Sequence, residues 1–328
     1  MTMKNTANTC RIEESILYGI KTLTLSNDLV SIRILVGKGG EINRITYLPK
    51  NLQVLLEDNE VMKAYEGRDL EKDRLANYSE LFMGGWPDVI PGFGYYGEVA
   101  YKERPIGLAA TLPWLCEILK ESDSCVSVKL KLRMELFPLY LVKTFTLKKG
   151  EAAISIEETV KNEGKQQAAV TWTQHAAFAG DFLDETVRIS FPAEKIFIPS
   201  QFANNGGREE DYIMPVEKVR MPDGTYHDLR TMRARANDGH LVFTQKLDRD
   251  YYEMYNQAKK IGFRMKWDKE IYPYLRCWYQ NTSNGYSIAL EPCNYYCHTF
   301  EECVRNGMFL FLEADEEKSS VIRFSFFE

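Results

Sequence analysis

The chain has 328 residues, of which 45% are hydrophobic, 27% charged and 12% aromatic, with a formal net charge of −6. This is an ordinary composition for a globular protein with a large core. Because no long run of lysine or arginine is present, nucleic acid and anionic membrane are poor partners, and a neutral small molecule fits better.

The start, Met1–Cys10, is polar and lacks the apolar core of a signal peptide, and no stretch approaches the roughly 20 apolar residues that span a bilayer. The expected location is the cytoplasm. Seven cysteines, Cys10, Cys116, Cys125, Cys277, Cys293, Cys297 and Cys303, are an odd number spread widely. That pattern suits reduced thiols better than a disulfide framework.

Strand patterns dominate from residue 29 onward. The first runs from Leu29 to Val36. The clearest begins at Cys125, where Val126, Val128, Leu130, Leu132, Met134 and Leu136 alternate with Ser127, Lys129, Lys131, Arg133 and Glu135, the period of a half-buried strand. Leu139 to Leu147 and Ala153 to Val160 follow, parted by Lys149-Gly150. Val170 to Gly180 reads as a short strand with Thr171, Thr173 and His175 on one face, followed at once by small residues.

Gln201 to Asp211, with its Asn204-Asn205-Gly206-Gly207, reads as a loop that borders a site. His227 and His240 lie in polar segments and are expected in solvent. Asp250 to Lys260 suggests a helix ending before Gly262, and Thr299 to Arg305 a second short one. Further strands are expected at Ile261–Trp267, Tyr274–Gln280, Tyr286–Glu291, Met308–Leu312 and Ser320–Phe326. About fifteen strands without βα alternation exceed what a single open sheet holds, so the expected fold is all-β, a large antiparallel β-sandwich with few short helices. With no linker or repeat visible, residues 1–328 read as a single domain.

The groups able to do chemistry are few. On the strand Tyr286–Glu291, Ser287, Ala289 and Glu291 share a face, so the carboxylate stands at the end of a small-lined surface. An exposed carboxylate is the commoner meaning of such a glutamate, as a structural imidazole is of a strand-end histidine. Trp278 shares its strand face with Arg276 and Gln280, so an indole and a guanidinium could address one ligand. Trp86 and Trp114 also neighbour polar or turn residues, although tryptophan is more often core than platform. Cys293, Cys297, His298 and Cys303 form a compact cluster whose spacing matches no common zinc site. No metal or organic cofactor is expected.

Four segments occur in an order that resembles aldose 1-epimerase-like proteins: Gly84 to Pro91, Pro105-Ile106-Gly107 leading to Pro113-Trp114, Trp172 to Phe178, and Ala289 to Cys293. The resemblance implies the galactose mutarotase-like supersandwich with a sugar-binding cleft on a concave sheet face. It further implies His175 as general acid and Glu291 as general base in interconverting sugar anomers. Candidate sugar contacts are Trp278, Arg276, Gln174, Trp114, Trp86 and Arg104. The pattern departs from the family at Ile106, which stands where a sugar-holding histidine is common, and at Pro91–Tyr95, which lacks a usual arginine. A sugar-binding or sensor protein without turnover, and a glycan lyase or hydrolase, are the alternative readings.

Overall fold

The computed structural model describes residues 9–68, 81–92, 95–96, 107–198, 212–221, 224–233, 238–282, 285–296 and 300–328. Arg104, Ile106, Cys297, His298 and the expected loop Gln201–Asp211 lie outside these residues. Strands dominate, and the described α-helices are two short ones, Asn59–Lys63 and Phe300–Asn306. Among the described residues no helix is long and apolar enough to cross a membrane.

The chain opens with a five-stranded antiparallel sheet in simple chain order, from Arg11–Leu17 to Leu52–Gln53. Two eight-stranded antiparallel sheets follow. One runs, in spatial order, through Val187–Ser190, Tyr251–Asn256, Ile261–Lys266, Glu317–Phe327, Ala153–Asn162, Leu139–Lys148, Cys125–Arg133 and Leu115–Ser122; we call it the backing sheet. The other, the site sheet, runs through Tyr212–Pro215, Lys195–Ile198, Asp238–Thr244, Tyr274–Thr282, Gly285–Cys293, Thr173–Gln174 and Asp88–Val89, with Ala177–Phe178 also paired to Gly285–Cys293.

Alternation decides what lies between these sheets. In Leu139–Lys148 every second side chain is buried, and the same holds along most of Ala153–Asn162. Aromatic rings join the layers: Phe263 of the backing sheet stacks on Phe178 of the site sheet at 4.7 Å and on Phe324 at 4.8 Å, with Phe182 at 5.0 Å. Such ring pairs contribute beyond their buried area.

Three expectations are corrected. The segment expected as a helix over Asp250 to Lys260 contains the strand Tyr251–Asn256, in which Tyr252, Met254 and Asn256 are buried and Tyr251, Glu253 and Tyr255 are half-buried. Tyrosines on both faces conceal the period of two. The strand expected over Val170 to Gly180 is broken: Ala168–Val170 pairs with Leu310–Leu312 in a three-stranded sheet, whereas Thr173–Gln174 joins the site sheet. Lastly, Cys303 is disulfide-bonded, while Cys10, Cys116, Cys125, Cys277 and Cys293 are free thiols. An odd total does not preclude one pair, and Cys303 is fully buried in a small cluster with Cys293, Tyr295 and Met308.

Because Phe263 is fully buried among three other rings, Phe263→Ala is expected to cost about 3–5 kcal/mol, measured by urea denaturation. A loss below about 1 kcal/mol would show that these rings do not tie the sheets together.

Candidate active site

Pairing in the site sheet brings His175 and Glu291 together. Thr173 pairs with Cys293 and Ala177 with Ala289, so the same count sets His175 opposite Glu291. His175 occupies the break between two two-residue strands, anchored by its amide donating to the Pro87 carbonyl at 3.0 Å. Its Nε2 stands 3.5 Å from Glu291 Oε1, and Arg276, the cross-strand partner of Glu291, places Nη1 3.6 Å from Oε2. Phe82 packs edge-on against the imidazole at 5.0 Å.

The Glu291 carboxylate is fully buried, and neither oxygen makes a hydrogen bond among the described residues. Buried carboxylates are normally hydrogen-bonded, and leaving one otherwise is costly. Burial raises its pKa from an ordinary 4.5 to about 7, although the Arg276 guanidinium draws it down. His175 moves the other way. Burial, reinforced by Arg276 and opposed by its backbone hydrogen bond, lowers it from 6.5 to about 3. At this separation the pair holds its protons jointly, and a single shared proton rests on the carboxyl.

The remaining expected residues divide into two groups. Arg276 and Trp278 stand on the same face as Glu291, half-buried, with Trp278 opposite Ala289 and Gln280 opposite Ser287. Ala289 also faces Ala177, so the indole is bordered by methyl groups on that side. Trp86, Gln174 and Trp114 are instead buried with protein partners: the Trp86 indole donates to Gln174 Oε1 at 2.8 Å, and the Trp114 indole to the Ala109 carbonyl at 3.0 Å. The cause is strand alternation, which turns Gln174 away from the face that His175 takes. His227, expected in solvent, is buried, with its ring 6.1 Å from that of Tyr279.

Sequence reasoning missed a set of buried charges behind the site. Lys143 and Glu158, directly paired on the backing sheet, meet Asp88 and Gln174 in the interior, and the Lys143 ammonium lies 5.1 Å above the Trp114 ring. Burial lowers the Lys143 pKa and raises that of Glu158, each drawing the other back. A signal existed. Lys143 falls on the parity of Leu139, Leu141, Phe145 and Leu147, and Glu158 on that of Ile154, Ile156 and Val160. Among the described residues no group of three or more histidine, cysteine, aspartate or glutamate side chains is placed to hold a metal.

The same fold occurs in solved structures. A Klebsiella pneumoniae protein described as a candidate aldose 1-epimerase matches with a TM-score of 0.73 and 16% identity over 96% of this chain and 83% of that one. A galactose mutarotase-like protein from Clostridium acetobutylicum matches with a TM-score of 0.69 and 13% identity over 98% and 99%. A galactose mutarotase related enzyme from Lactobacillus acidophilus gives 0.59 and 11% over 94% and 97%. The fold is therefore galactose mutarotase-like. Residues 130–326, more than half of the chain, match the sequence family described as "Domain of unknown function (DUF4432)". No curated protein matches the sequence.

The two shifted groups give stability opposite dependences on pH. Stability associated with Glu291 is present below pH 4.5 and lost as pH rises through about 7, because the unfolded chain ionises first. That associated with His175 is present above pH 6.5 and lost as pH falls toward about 3. Glu291→Gln removes only the first. From pH 4.5 to 7.5 the variant is expected to gain up to about 3 kcal/mol over the parent in denaturant unfolding, whereas parallel curves would contradict the raised carboxyl.

Proposed function

The chain belongs to the DUF4432 family, a description that assigns no activity, and from the buried pair we propose that it interconverts the α and β anomers of an aldose or modified sugar. One observation carries this reading: a fully buried carboxylate without hydrogen bonds among the described residues, faced by an imidazole at 3.5 Å. Its unmet demand for a donor suits an anomeric hydroxyl, and a neighbouring proton donor suits the ring oxygen. Likeness in fold to mutarotase-like proteins supports the same class.

Glu291 takes the proton of the anomeric hydroxyl as His175 gives one to the ring oxygen. The bond between C1 and the ring oxygen breaks, C1 becomes an aldehyde, and rotation exposes its other face. Closure then reverses both transfers. Ring opening therefore starts from the less favoured form of the pair, with its proton on the imidazole, and moves that proton to the carboxyl, the side that burial favours; closure returns it. A half-buried Trp278 beside alanines offers a flat surface for the apolar face of the sugar.

Glu291→Gln and His175→Ala are each expected to lower kcat about 10²–10⁴-fold in polarimetry with a panel of aldoses. Parent-like rates in both variants, with substrates that the parent accepts, would defeat the proposal.

The pH profile tests the shared proton separately. The reaction needs one proton on the pair, a form that persists up to about pH 7. After correction for uncatalysed mutarotation, kcat/KM is expected to fall about tenfold per pH unit above that point. A rise across the same range would mean that the active pair carries no proton.

A further inference from the structure

Behind the strand that carries His175, on the side turned from Glu291, lies a polar cluster that ring opening does not use. Gln174 is its hub. Its amide nitrogen donates to Asp88 and to Glu158 Oε2 at 2.7 Å and lies 3.0 Å from the Tyr272 hydroxyl, while its carbonyl accepts from Trp86 at 2.8 Å. Lys143 pairs with Asp88 and stands 3.9 Å from Glu158. The Trp172 indole donates to Asp88 at 3.2 Å, and the hydroxyl of Tyr272 lies 3.3 Å from Glu158. All of these side chains are buried.

The cluster joins elements that the backbone ladder holds weakly. Thr173–Gln174 is two residues long and meets Gly285–Cys293 through the pair Thr173 and Cys293. On its other side it pairs with the equally short Asp88–Val89, and the residue before Asp88, Pro87, accepts the His175 amide. Asp88 and Pro87 thus hold the side chain of Gln174 and the backbone of His175 at once. Glu158 adds a tie from the backing sheet, where long strands fix its place.

We propose that Gln174 is a positioning residue, which, held to Asp88 and across the sandwich to Glu158, sets where the His175 imidazole stands over Glu291. Its consequence for turnover rests on the proposed mutarotation, but its effect on the imidazole does not. Two variants weaken the hold to different degrees: Gln174→Met removes every polar contact of the side chain, and Trp86→Phe removes only the indole donor. Glu158→Gln keeps an acceptor for Gln174 and serves as the conservative control.

Polarimetry is expected to show kcat about tenfold to a hundredfold lower in Gln174→Met, with KM within about threefold of the parent, as a small misplacement of a reacting group produces. Trp86→Phe should show a smaller loss of the same kind, and Glu158→Gln should stay within about threefold. Alongside, the imidazole nitrogen resonances of His175, assigned by their absence in His175→Ala, should move in Gln174→Met and Trp86→Phe and stay in Glu158→Gln. Unmoved His175 resonances and parent-like kcat in a folded variant, whatever its melting temperature, would leave Gln174 a merely stabilising residue. If the parent turns over no sugar, the proposed function fails, and the resonances still decide the position of His175. Should Gln174→Met not fold, Trp86→Phe is read in the same way.

Discussion

In an antiparallel sheet a slip of one residue turns every side chain to the opposite face, so the site depends on a single register. Cys293 opposite Thr173 and Ala289 opposite Ala177 place His175 against Glu291. On the other edge of the same strand, Arg276 meets Glu291, and beyond it Phe243 meets Arg276 and Phe197 meets Phe243. One row across four strands therefore carries the carboxylate, the guanidinium and two aromatic rings. The imidazole is added at the end, from a short segment between strands.

Burial then determines the chemistry of that row. A carboxylate and an imidazole taken from water both favour their neutral forms, and the guanidinium beside them opposes this for the carboxylate and reinforces it for the imidazole. The outcome is a pair with one proton between them and little preference from any hydrogen bond to the carboxylate. Behind the sheet the logic is reversed. Lys143, Asp88, Glu158 and Gln174 are equally buried but are tied to one another by hydrogen bonds and ion pairs. A hydrogen-bonded network makes rigid support, whereas neither oxygen of Glu291 makes a hydrogen bond among the described residues.

Much of the fold was legible because period-two patterning is a local property. The strand from Cys125, the two that follow it and the strand that carries Glu291 were all readable from alternation alone. Tyr251–Asn256 was not, since tyrosines on both faces remove the contrast on which the reading relies. The break after Val170 was also hidden, because a change of sheet leaves the run of strand-forming residues intact. Lys143 and Glu158 show a signal that was present but easy to pass over: a charge at an inward parity in each of two neighbouring strands.

The sequence by itself determined that the protein is an all-β sandwich, since strand parity is written in consecutive residues, and it singled out His175 and Glu291 through the resemblance to aldose 1-epimerase-like proteins. It also placed Trp278 and Arg276 on one face of their strand by alternation, and the strand pairing set that face beside Glu291. Only the tertiary structure decided that Trp86, Gln174 and Trp114 belong to the interior and that the carboxylate makes no hydrogen bond among the described residues. The reason is physical: which side of a strand meets water depends on what packs against it, and that packing comes from residues far away in the chain.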